Sequence, residues 1–148
     1  MGEDAKMLAG KLVIKQINAE DCLPVRQQVL WPDKPLSALI LPDDESGLHL
    51  GCLDNGLVVS AGSLFIDGAS ARLRKFATLP EYQGRGIGTA MLKKMTQLLK
   101  QKEVTEFWFD ARETARYFYE KSGFAVSGDV FYKSGIRYLK MAKQLESI

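Results

Sequence analysis

Residues 72–99, RLRKFATLPEYQGRGIGTAMLKKMTQLL, decide how the rest of the chain is read. The apolar and basic run 71–79, closed by Pro80, predicts a strand and its end. Gly84, Gly86 and Gly88 follow at every second position, around Arg85 and Ile87. Met91, Leu92, Met95, Leu98 and Leu99 then recur at helical spacing, with Lys93, Lys94, Gln97 and Lys100 between them. A glycine-rich turn therefore joins a strand to an amphipathic helix.

Such a turn suits an anion. The first N–H groups of a helix have no intrahelical partner, and the helix dipole adds partial positive charge there. Glycine lets the backbone approach a ligand closely, and Arg85 adds a full charge. A phosphate or pyrophosphate is the expected guest. Two common phosphate motifs do not fit: a dinucleotide fingerprint would need glycine at Thr89, and no Gly-Lys-Ser/Thr triplet marks a P-loop.

The frame around this turn is that of one ordinary domain. The chain has 148 residues, 46% apolar and 26% charged, with a net charge of +2. That balance gives no strong basic stripe, so neither nucleic acid nor membrane is an expected partner. Cys22 and Cys52, with a single His, are too few for a disulfide framework or a zinc site, so no metal is expected. No apolar run approaches the ~18 residues of a membrane span. The first residues also lack the apolar core of a signal peptide, which predicts a cytoplasmic protein.

Working outward, residues 1–10 are polar and aperiodic and read as a loose leader. Residues 11–17 predict a first strand; residues 18–30 predict a helix that Trp31-Pro32 stops. The proline-rich stretch after it predicts a loop walling a substrate pocket. Residues 48–53 and 57–66 flank Asp54-Asn55-Gly56, and Asn-Gly predicts a type I′ hairpin. Residues 104–110 predict a strand parallel to the one before the glycine turn, because a helix connects them. Residues 112–122 predict a short helix ended by Gly123, and residues 130–141 a closing hairpin around Lys133-Ser134-Gly135.

Gln83, Gly86 and Gly88 fill the defined positions of the Gln/Arg-x-x-Gly-x-Gly/Ala signature, and the chain resembles the GCN5-related N-acetyltransferases (GNAT), notably small bacterial members. Ala115, Tyr119, Gly123 and Phe124 match a second marker of that family, with Arg112 at its usual Asn position. The resemblance implies a single α+β domain over residues 1–148. It has a mixed, mostly antiparallel sheet flanked by helices, splayed between the fourth and fifth strands. That is the acyl-CoA N-acyltransferase fold. It implies acetyl-CoA as co-substrate, its pyrophosphate held by Gln83, Gly84, Arg85, Gly86, Ile87, Gly88 and Thr89, with Arg112 nearby. Ala77, Thr78 and Leu79 are the positions matching the family's unpaired strand amides, which pair with the pantetheine arm and polarise the thioester carbonyl. Tyr119 is the implied proton donor, since a phenol stays protonated at neutral pH.

The general base is the open position. Relatives of the histone-acetylating type carry a Glu where this chain has Arg72. Asp110, ending the next strand, can order a water and is the catalytic candidate; His49 stands in reserve. Arg72 and Arg74 share a strand face. With Arg26 they are the expected substrate residues, holding a small-molecule amine that carries a carboxylate or phosphate. The same positive field lowers the pKa of the acceptor ammonium. The reading is an N-acetyltransferase acting by direct attack in a ternary complex, as a monomer or homodimer. The alternative is a module that senses coenzyme A without catalysis, which the missing Glu and Asn favour. A nucleic-acid factor using Lys93, Lys94, Lys100 and Lys102 is weaker, because those spacings are what a solvated helix face shows.

Overall fold

The computed structural model describes residues 11–146; the leader expected at residues 1–10 lies outside the described residues. Eight strands form one sheet: β1 (Leu12–Ile17), β2 (Leu48–Asp54), β3 (Leu57–Asp67), β4 (Ser70–Thr78), β5 (Glu106–Arg112), β6 (Ala125–Val126), β7 (Phe131–Lys133) and β8 (Ile136–Gln144). Their order is β1-β2-β3-β4-β5-β8-β6, with β7 also on β8. Among the described residues only β4 and β5 run parallel. The sheet is therefore mixed and mostly antiparallel, as expected.

Local chemistry explains the connections. Asn55 and Gly56 both take positive φ, 49° and 85°, closing the β2–β3 hairpin as a primed turn must. Between β4 and β5 runs a 15-residue helix (Ile87–Gln101), which makes that crossover parallel. It is α2 here, following the short α1 (Leu23–Val25) and preceding α3 (Arg116–Lys121). Met91, Leu92, Met95 and Leu99 of α2 are buried against Leu50, Leu64 and Leu73 of the sheet in one core. The cap of α3 follows the sequence: Gly123 at φ 93° lets its N–H reach Glu120, while Phe124 N–H reaches Tyr119.

The first helix departs from expectation. Residues 19–30 fold as a 3₁₀ turn (Ala19–Cys22), then α1, then a π turn (Arg26–Leu30). Trp31 N–H bonds back to the Arg26 carbonyl at 3.2 Å, five residues earlier. This wide turn accompanies the burial of Arg26, only 1% exposed.

Candidate active site

β4 and β5 pair at three positions only, Ser70 with Glu106, Ala71 with Phe107 and Arg72 with Trp108. Beyond that rung they part, and a cleft of about 590 Å³ lies between them. Residues 72–76 of β4 line it, with residues 109–112 of β5, Tyr119 of α3, Leu30, Trp31 and the β7–β8 hairpin.

A bulge sets the backbone of the first wall. Ala61 pairs with Ala77 but Ser63 with Arg74, so Lys75 and Phe76 together oppose Gly62. Lys75 takes φ 54°, which a non-glycine residue adopts only under constraint. Past the bulge, Leu79 N–H bonds to the Val59 carbonyl at 2.8 Å. Alternate residues of a strand turn their N–H groups to the same side, so Ala77 also addresses β3 while Thr78 turns away from it. This corrects the expectation for Ala77 and Leu79, whose amides belong to the sheet. Phe76, which lines the cleft, was missed. The signal was Gly62: glycine inside an apolar strand marks a bulge opposite. An added Cβ there would come within 2.7 Å of Met95 Cε.

The glycine turn lies at the end of β4. Gln83 Nε2 donates to the Thr78 carbonyl at 2.9 Å, tying the turn to the strand. Arg85 lies over Tyr82 at 4.8 Å, and the Tyr82 hydroxyl donates to Asp54 at 2.6 Å. Gly86 caps α2 at φ 83°, and the first helical bond runs from Ala90 N–H to the Gly86 carbonyl. The amides of residues 86–89 thus have no partner within the helix. A Cβ on Gly84 or Gly86 would meet nothing within 4 Å, so the surface over these amides is open. That is the space an approaching pyrophosphate needs, and the turn fits one. Ile87 is buried and offers only its backbone, while Thr89 is exposed. Gly88 differs, because a Cβ there would strike Phe118 at 2.9 Å. Its small size serves the packing of α3 on α2.

Tyr119 packs among aromatic rings, 4.4 Å from Phe109 and 5.0 Å from Phe118 between centroids. Burial pushes its phenol up to about 12. Its hydroxyl has no hydrogen-bond partner among the described residues, and the residue lines the cleft with Asp110 and Arg112.

The four charged candidates separate. Arg72 Nη2 donates to Asp110 Oδ2 at 3.1 Å, and its guanidinium also lies 4.9 Å over Trp108. Asp110 is therefore held by an arginine. Arg74 lines the cleft with no ion-pair partner among the described residues. Burial first and Arg72 second push its pKa down. Arg26 does not join them. Its Nη1 and Nη2 grip both oxygens of Asp44 at 2.8 and 3.0 Å, and Nη2 also reaches Ser63 Oγ at 3.0 Å. This corrects the expectation that Arg26 holds substrate: nothing in the sequence revealed Asp44 as its partner. His49 is buried too, bonded to Ser63 Oγ and the Asp44 carbonyl. Lys75 and Lys133 line the cleft and were missed, since neither a bulge nor a short hairpin announces which way it points.

Among the described residues, no group of His, Cys, Asp or Glu could hold a metal, and no helix is long and apolar enough to cross a membrane.

Known proteins agree with this architecture. The family model described as acetyltransferase (GNAT) domain matches residues 27–145. An uncharacterized N-acetyltransferase of Bacillus subtilis, YitI, is 28% identical over 146 residues, covering 92% of this chain and 98% of that one. The [ribosomal protein bS18]-alanine N-acetyltransferase of Haemophilus influenzae is 32% identical over 117 residues, covering 76% and 80%. Two crystal structures share the fold. The ribosomal-protein-S18-alanine N-acetyltransferase of Escherichia coli has a TM-score of 0.79 at 19% identity, covering 93% of this chain and 95% of that one. A GNAT family acetyltransferase of Elizabethkingia anophelis with acetyl-CoA bound has a TM-score of 0.73 at 18% identity, covering 93% and 100%. This chain belongs to the GNAT family and is an acetyl-CoA-dependent N-acetyltransferase.

Proposed function

We propose that the cleft transfers an acetyl group to the amine of a small acidic acceptor, by direct attack in a ternary complex. One observation carries this reading: β4 and β5 part beyond Arg72 and Trp108 and open a cleft that Phe76, Arg74 and Tyr119 line. Acetyl-CoA, when bound, supplies the acyl group as an activated thioester. Gly84, Arg85, Gly86 and the amides of Ile87, Gly88 and Thr89 are the residues to hold its pyrophosphate, with Gln83 fixing the turn and Arg112 at the far edge.

Each remaining group then has a task that its surroundings allow. The Thr78 amide, turned away from β3, is the fixed donor for negative charge that develops on the carbonyl oxygen, and a fixed donor needs no reorganisation. The Tyr119 phenol, kept protonated by burial, gives its proton to the departing thiolate. Arg74 draws in an anionic group and disfavours an ammonium beside it, so the amine sheds its proton more readily. Asp110 acts by fixing Arg72 at the head of the cleft, which replaces the expected water-ordering role with a positioning one.

The test is release of free thiol from acetyl-CoA across a panel of primary amines. Amine-dependent release, lost on Tyr119→Phe with acetyl-CoA affinity retained, is the expected result. Release at the same rate with and without every amine would overturn it.

A further inference from the structure

Three cations reach the acceptor side of the cleft from separate places: Arg74 on β4, Lys75 in the bulge and Lys133 at the end of β7. None has an acidic side chain within ion-pair distance among the described residues. Asp43 and Asp44 act on Arg74 only from a distance, and Asp44 is held by Arg26. Burial, then Arg74 and Lys133, push the Lys75 pKa down. The Lys133 ammonium is fixed 4.8 Å over the Tyr138 ring, which stacks on Phe131. Cations held against one another destabilise the free protein, and an anion among them reverses that sign.

A second feature is apolar. Leu30, Trp31 and Ile136 line the same cleft while 39%, 50% and 38% exposed. Exposed aromatic and branched side chains at a cleft's mouth form a seat for an apolar group.

We infer that the acceptor is a free α-amino acid with a large apolar side chain, its carboxylate on Arg74, Lys75 and Lys133 and its side chain against Trp31 and Ile136. This rests on the acetyl-transfer reading and narrows it. An amino-sugar phosphate satisfies the cations but leaves the apolar lip wet. A polyamine meets like charge, and a peptide N-terminus has no α-carboxylate. In the step itself the amine nitrogen forms the new N–C bond as the thioester C–S bond breaks. The ammonium gives one proton to solvent before attack; Tyr119 protonates the thiolate, and the second proton that the nitrogen sheds on becoming an amide restores the phenol.

Thiol release is measured with L-leucine, L-phenylalanine and L-tryptophan, their α-carboxamides, glucosamine 6-phosphate and an alanine-terminated peptide. The free amino acids are expected to lead, with kcat/KM about tenfold or more above their carboxamides, the loss of one charge-assisted contact set. Lys133→Ala, at the exposed end of β7, should raise KM for the acids by a larger factor than for the carboxamides. Trp31→Ala should raise KM for both. Saturation-transfer NMR of L-phenylalanine reads the same Lys133 effect without turnover. Carboxamides or the peptide equalling the free acids would overturn the inference while leaving acetyl transfer intact. Silence with every amine would end both.

Discussion

Arg72 and Asp110 join β4 to β5 at the point where their backbones stop doing so. The last backbone pair is Arg72 with Trp108, and the Arg72 guanidinium reaches two residues further along β5 to Asp110, at 3.1 Å. The pair therefore marks the fork of the cleft. Its side chains are 36% and 21% exposed, so water screens the attraction. Asp110→Asn should cost at most about 1 kcal/mol of stability in urea unfolding. Because the role is positioning, kcat/KM should fall by one constant factor between about pH 6 and 9, with the shape of the profile unchanged. A loss confined to one limb of that profile would make Asp110 the base instead.

Tyr119 gives a prediction with a sign. Its folded pKa, near 12, stands above the ordinary phenol value of 10 because burial disfavours the phenolate. Below pH 10 the phenol is neutral both folded and unfolded, and the stability it contributes is fully present. As pH rises from about 10 to 12, only the unfolded chain ionises there, and stability falls. Urea midpoints for wild type and Tyr119→Phe should run parallel to about pH 10, after which the wild type falls more steeply. The variant should lose about 10²–10⁴-fold in kcat at neutral pH. A variant that turns over like wild type leaves Tyr119 a packing residue among Phe109, Phe118 and Phe124.

What the sequence made legible was what neighbouring residues settle among themselves. Asn55-Gly56 and Gly123 demand positive φ, and the glycine turn before α2 is written in six consecutive residues. The splay followed from the resemblance. Three things were hidden because they depend on distant partners. The side chain of Arg26 is fixed by Asp44, Ser63 and Leu39, all brought in by the chain's long return. The bulge at Lys75 exists only in register with Gly62, so the residues of β4 alone do not announce it. β6 is two residues long and shows no period at all.

Gly86 separates backbone strain from ligand approach. There is room for a Cβ, so Gly86→Ala should cost only the left-handed penalty, about 1–2 kcal/mol. The methyl group would stand where the helix-start amides face outward. Acetyl-CoA affinity measured by calorimetry should therefore fall about tenfold or more, a loss on the scale of one blocked phosphate contact. Gly88 would not serve as a probe, since any side chain there strikes Phe118 and disturbs α3. Unchanged affinity for Gly86→Ala would move the pyrophosphate elsewhere.

Arg26 and Arg74 carry the same charge, and their variants should behave in opposite ways. Arg26 is locked to Asp44 in a bidentate pair that is almost fully buried, and its Nη1 also donates to the Leu39 carbonyl at 3.0 Å. Burial alone would raise the Asp44 pKa, but the Arg26 and Leu41 N–H hydrogen bonds outweigh it and hold the carboxyl below its ordinary value. That contribution is complete above about pH 4, where the unfolded carboxyl is ionised, and is lost as pH falls through the lower folded value. Asp44→Asn leaves the Arg26 charge uncompensated and should cost about 3–5 kcal/mol, with the acid limb of the stability profile flattened. Arg74→Ala removes a cation from a crowd of cations, so urea stability should hold or rise slightly. KM for an acidic amine should rise about tenfold or more, while KM for a neutral amine stays near wild type. If Arg74→Ala raised both KM values alike, or destabilised the fold as Asp44→Asn does, Arg74 would be a structural residue and the cleft would have no anion to hold.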